Sequence, residues 1–128
     1  MPKSAIVLLA DGFEEIEATC PIDLLRRADV QVTVAAVGKD LLVTGRSDLT
    51  LNADCPLPEV LDQSFDLLVL PGGPAVFDLR KQTRVLDLIR RFHFDDRGHR
   101  AFQTGNRAGG HLVGGKASTA ALVPWVCI

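Results

Sequence analysis

Cysteine is scarce in this 128-residue chain, which holds three: Cys20, Cys55 and Cys127. An odd set without paired spacing favours free thiols in a cytoplasmic protein over a disulfide framework. An excess of charge of one sign is also missing. The 14 Lys and Arg stand against 16 Asp and Glu, for a formal net charge of -2, so there is no electrostatic case for a nucleic-acid partner. Long hydrophobic runs are absent as well, and none reaches membrane-spanning length. The apolar stretch at residues 5–10 is short for a signal peptide, and Asp11, Glu14 and Glu15 follow it at once, so it reads as a strand. What is present is ordinary for a soluble globular protein, 47% hydrophobic and 23% charged. The length suggests one small domain.

The chain is organised around Leu67-Leu68-Val69-Leu70-Pro71-Gly72-Gly73-Pro74. A short apolar run without charge predicts a strand buried on both faces. Pro71 cannot donate to a strand ladder and ends it. Two glycines then allow a sharp turn or close approach to a ligand. A strand leading through such a turn into a helix sets its amides at the carboxyl edge of a sheet, where open α/β sheets bind ligands. A plain strand-to-helix turn without a ligand is the other reading.

On either side of that stretch the pattern is α/β. Residues 5–10 predict a buried parallel strand, and Asp11-Gly12-Phe13 a turn. Glu14-Glu15 opens a helix with the charge that its N-terminal dipole favours. Ile16, Cys20, Leu24 and Leu25 are expected on its apolar side, with Pro21 kinking it or starting a new first turn. Residues 30–37 are β-branched and partly alternating, a second strand. Shorter strands are expected at 41–44 and 48–53, and a Pro-flanked loop around Cys55 with a helical turn near Glu59. Residues 75–79 predict one helical turn. Residues 84–94 predict a helix with Val85, Leu88, Ile89 and Phe92 on one face. The resulting β-α-β-β-β-α order favours a three-layer, mostly parallel α/β sheet.

After Asp95 the character changes. Six of the eleven glycines lie in residues 98–128, and apolar periodicity fades from His99 to Gly115. A helix covering a parallel sheet normally returns to it as a strand, but residues 101–107 make a poor candidate. The domain reading is therefore 1–97 for the α/β unit, incomplete at its C-terminal end, and 98–128 for a Gly-rich atypical tail.

Residues 5–94 resemble the DJ-1/ThiJ/PfpI family, flavodoxin-like relatives of class I glutamine amidotransferases, and most closely the DJ-1/ThiJ branch. The resemblance rests on an ordered set: Ala10-Asp11-Gly12-Phe13-Glu14-Glu15-Ile16-Glu17, then Pro21-Ile22-Asp23-Leu24-Leu25-Arg26-Arg27-Ala28, Val32-Thr33-Val34-Ala35, and Phe65-Asp66-Leu67-Leu68-Val69-Leu70-Pro71-Gly72-Gly73. It implies a cysteine on a strained strand-to-helix turn, a glutamate from the first helix that helps hold its thiolate, and backbone amides near the Pro-Gly-Gly turn that bind an oxyanion. By motif position Glu17 matches that glutamate, and Gly72 and Gly73 match the turn. The chemistry agrees, since a carboxyl beside a thiol tunes and orients it. On residue type alone, Glu17 in an acidic cluster with Glu14 and Glu15 reads as helix surface. The resemblance also implies glyoxalase-type, deglycase or amidase chemistry on a small carbonyl or acyl substrate, oxidative-stress sensing, a homodimer, and no metal or other cofactor.

The nucleophile does not carry over. Where the family's cysteine turn should stand, the chain reads Arg100-Ala101-Phe102-Gln103-Thr104-Gly105-Asn106-Arg107-Ala108-Gly109-Gly110, without cysteine or serine. Thr104 is its one hydroxyl and has no motif behind it. The expectation is a family member whose thiol chemistry is lost or impaired, through truncation or a shifted reading frame beyond about residue 95. The alternatives are a non-catalytic binding or dimerisation module of the same fold and, with less support, a nucleotide-binding flavodoxin-like domain.

The remaining candidates carry less. Cys20 is three positions from Glu17 on one helix face, either a site thiol or a core cysteine. Cys55 is expected in an exposed, oxidisable loop without a role. Cys127 would have to fold back against Glu17. Residues 110–117 nearly match a phosphate-binding loop, but Ala117 stands where Ser or Thr would hold magnesium. His93, His99 and His111 lack metal-ligand spacing.

Overall fold

The computed structural model describes residues 2–94 and 100–103. Its centre is a five-stranded sheet in the order β5-β2-β1-β6-β7, formed by β1 (Ser4–Leu9), β2 (Gln31–Ala36), β5 (Cys55–Pro56), β6 (Leu67–Leu70) and β7 (Arg100–Gln103). All four pairings are parallel. A separate antiparallel pair joins β3 (Leu42–Thr44) to β4 (Thr50–Asn52). The helices are α1 (Glu15–Arg27), α2 (Ala75–Leu79) and α3 (Thr83–Phe94), with one 3-10 turn at Leu57–Glu59.

Alternation along the strands divides the core into two layers. Ile6 and Leu8 of β1 and Leu68 and Leu70 of β6 face one side, where Val85, Leu88, Ile89 and Phe92 of α3 cover them. The spacing of those four places them on one helical stripe, and all four are buried as expected. Val7, Leu9, Val34, Ala36 and Val69 face the other side and meet Phe13, Ala18 of α1, and Val43 and Ala53 of the β3–β4 hairpin. This is the three-layer, mostly parallel α/β architecture that the strand and helix patterns predict.

Three local expectations are corrected. Ile16 and Leu24 do not form the buried side of α1; they are 61% and 48% exposed. The helix instead packs through Ala18, with Ile22 and Leu25 half-buried beside it. A small residue at the point of contact lets the helix lie close to the sheet. The helix is also continuous through Pro21, although Pro21 has no N–H to offer the carbonyl of Glu17 one turn back. Cys55 is not on an exposed loop. It pairs with Ala35 in parallel register at the edge of the sheet and packs, half-buried, against the α3-side core. Finally, residues 100–103 do form a strand: β7 runs parallel to β6 in the register Leu67↔Arg100 to Leu70↔Gln103. One apolar pair, Ala101-Phe102, is too short a signal to stand out in sequence. Pairing to a buried neighbour makes the strand.

Candidate functional site

The carboxyl ends of β1 and β6 lie side by side, because Ala5, Ile6 and Val7 are paired with Leu67, Leu68 and Val69. Beyond them, the segment at residues 11–15 meets the turn at residues 71–75. The contact is mutual: Glu14 N–H donates to the Gly72 carbonyl at 2.9 Å, and Ala75 N–H to the Gly12 carbonyl at 3.2 Å. Space for this approach depends on Gly73, whose φ is +94°. A Cβ there would stand 2.8 Å from the Gly12 carbonyl oxygen and 2.9 Å from the Glu14 nitrogen, so a side chain is excluded by both conformation and room.

Glu17 lies on the first turn of α1, half-buried, and its carboxylate reaches this turn. Gly72 N–H donates to Glu17 Oε2 at 2.7 Å, a charge-assisted bond at the short end of the normal range. The structure thus brings together Glu17 and the Gly72-Gly73 bend, 55 residues apart in sequence. The Gly73 carbonyl accepts from Val76 N–H. The bend therefore presents one amide, that of Gly72, engaged by a carboxylate.

The thiols are placed less favourably. Cys20 is half-buried on α1, one turn after Glu17. Burial pushes the Cys55 thiol above its usual range, and the charges of Glu59 and Asp54 push it further. Both effects oppose a thiolate, the form that attacks carbonyls. Among the described residues no cluster of three or more His, Cys, Asp and Glu side chains is placed to hold a metal ion, and no helix is long and apolar enough to cross a membrane. Thr104, the cysteine-free segment after Gln103, His99, His111, the 110–117 near-match and Cys127 lie outside the described residues, as does the side chain of His93.

Sequence reasoning missed Glu15. Read as one of three surface acids at a helix start, it is buried instead, and its carboxylate accepts amides from the turn joining β3 to β4. No sequence signal marks this, because the partners are main-chain amides more than 30 residues away.

Residues 3–106 match the DJ-1/PfpI family. The chain is 50% identical over 68 residues to Protein DJ-1 homolog A of Arabidopsis thaliana, covering 53% of this chain and 17% of that one. It is 33% identical over 91 residues to a protein of Thermococcus kodakarensis named a deglycase, covering 71% of this chain and 54% of the relative. The crystal structure of Drosophila melanogaster DJ-1beta superposes with a TM-score of 0.75 at 35% identity, over 81% of this chain and 55% of the fly protein. The chain thus spans about half the length of the archaeal and fly proteins, and less of the plant one. A parallel sheet with an acid-bearing first helix beside a Pro-Gly-Gly turn, together with a family match over most of the residues, leads to one assignment: the chain belongs to the DJ-1/PfpI family.

Proposed function

We propose that this chain is a DJ-1/ThiJ-type domain whose site is laid out for thiolate chemistry on small carbonyl or acyl substrates, and that thiol chemistry is lost or severely impaired in it. The observation that carries this reading is the 2.7 Å bond from Gly72 N–H to Glu17 Oε2, set beside a sequence without cysteine from Arg100 to Gly110. In thiolate addition to an aldehyde, a sulfur–carbon bond forms and the carbonyl π electrons move onto oxygen. In this reading the backbone amides of the Gly72-Gly73 bend are the donors that stabilise that oxygen. On the same reading Glu17, whose carboxylate accepts from Gly72 N–H, corresponds to the group that would hold or move a proton beside a nucleophilic sulfur. The deglycase name of the archaeal relative supports the substrate class.

Alkylation kinetics test the reading. Iodoacetamide labelling of the native chain across pH 5–9 should show only thiols that ionise at or above about 8, the range of an ordinary cysteine. A thiol ionising below about 7, shifted upward by Glu17→Ala, would mean that an activated nucleophile is present.

A second reading, a binding or self-association module, has its own support. Ile16 and Leu24 stand exposed on α1, and Leu42 and Leu49 on the hairpin. Where exposed apolar side chains are contiguous they mark an interaction surface, and a second copy of this chain would pair such a surface symmetrically. Sedimentation of the purified chain tests it: a dimer weakened by Ile16→Glu supports self-association, and a clean monomer at high concentration counts against it.

A further inference from the structure

Glu15 is the one charged side chain in the buried class among the described residues, at 8% exposed. The chemistry proposed for Glu17 does not use it. Its carboxylate is enclosed by the turn between β3 and β4. Glu15 Oε1 accepts the N–H of Ser47 at 2.7 Å and that of Leu49 at 3.4 Å. The turn closes around it, with Gly45 N–H donating to the Leu49 carbonyl and Asp48 N–H to the Gly45 carbonyl. Asp48 adopts a φ of +64° to do so. A Cβ on Gly45 would fall 2.3 Å from Glu15 Oε1, so the glycine leaves room for this carboxylate.

The same turn is bonded to the segment that carries the site. Gly12 N–H donates to the Thr44 carbonyl at 2.8 Å, and Arg46 N–H to the Phe13 carbonyl at 2.9 Å. Thr44 N–H donates to Asp11 Oδ1 at 3.0 Å. That segment in turn holds the Pro-Gly-Gly bend through Glu14 N–H and the Gly12 carbonyl. The hairpin, residues 11–15 and the bend thus form one continuous hydrogen-bonded unit. A buried charge is tolerated only where its acceptor capacity is met, so loss of the Ser47 and Leu49 amides would force Glu15, and the start of α1 with it, to move.

We infer that Glu15 is a positioning residue: by anchoring the β3–β4 turn to the start of α1, it fixes the Glu17 carboxylate against the Gly72 amide. The inference rests on the reading of Glu17 as the site carboxylate, but its test does not depend on turnover.

Amide hydrogen exchange of the full chain reads it directly. Glu15→Gln should speed exchange at Ser47, Leu49 and Gly72 by about tenfold, while Val7 and Val69 in the central strands stay within about twofold. Glu15→Asp, which keeps the charge but shortens the reach, should give the same pattern. Faster exchange at Ser47 and Leu49 with Gly72 unchanged would overturn the inference and leave the Glu17 reading intact. If neither variant folds, native-state exchange of the unaltered chain in low urea decides. A shared opening of Ser47, Leu49 and Gly72 with one urea dependence supports the coupling, and separate openings refute it.

Discussion

At the residue scale the site depends on a few atoms with little tolerance. Gly72 is buried, and removing the Glu17 carboxylate leaves its N–H without the acceptor it now uses. Glu17→Ala should therefore cost about 1–3 kcal/mol of stability in urea unfolding. Gly73→Ala should cost about 2 kcal/mol or more, because a Cβ meets two main-chain atoms at a φ of +94°. A chain that tolerates Gly73→Ala without loss would contradict the bend described here. Acid titration addresses a different carboxylate. The Lys3 side chain, the Ser4 amide and the Ser4 hydroxyl all donate to Asp66. They lower its pKa from 3.8 to about 2, the Lys3 hydrogen bond most and burial working against them. The folded-state value lies below the unfolded one, so the stabilisation is complete above about pH 4 and is lost as pH falls towards 2. Urea midpoints measured from pH 5 to 2 should fall less steeply in Asp66→Asn than in the unaltered chain. Glu15 contributes with the same sign. Burial alone would raise its pKa, but the amides of Ser47, Glu15 and Leu49 and the charge of Arg46 together hold it below the usual carboxylate range.

At the scale of elements, what could be read from sequence depended on how local the signal was. β1 and β6 are continuous apolar runs, and α3 repeats Val85, Leu88, Ile89 and Phe92 at helical spacing, so each announces itself. α1 misleads because two of its four large apolar residues, Ile16 and Leu24, face outward, while Ala18 is buried with Ile22 and Leu25 half-buried beside it. β7 has almost no pattern of its own and exists by pairing with β6. The consequence can be measured. Leu88→Ala should cost about 2–5 kcal/mol, as for other buried leucines, whereas Ile16→Ala should stay within about 0.5 kcal/mol. Equal losses at the two positions would mean that α1 buries a different face.

At the scale of the whole molecule, the parallel sheet explains why residues remote in sequence meet. Parallel strands all end on the same edge, so the turns after β1 and β6 come together and bring Glu17 to Gly72. The motif resemblance located both ends of that bond, because each lies in a recognisable run. It could not locate Glu15, whose partners are main-chain amides in an undistinguished turn. The apolar surface of α1 and the hairpin belongs to this scale too. If it pairs with a second copy, Ile16→Glu should weaken that association in sedimentation.

Methylglyoxal turnover by the purified chain tests the central claim most directly. The account predicts no conversion above the buffer rate, and the same result for Glu17→Ala and Cys20→Ser. Conversion well above that rate which Glu17→Ala abolishes would show a working nucleophile beside the Gly72-Gly73 bend and would contradict it.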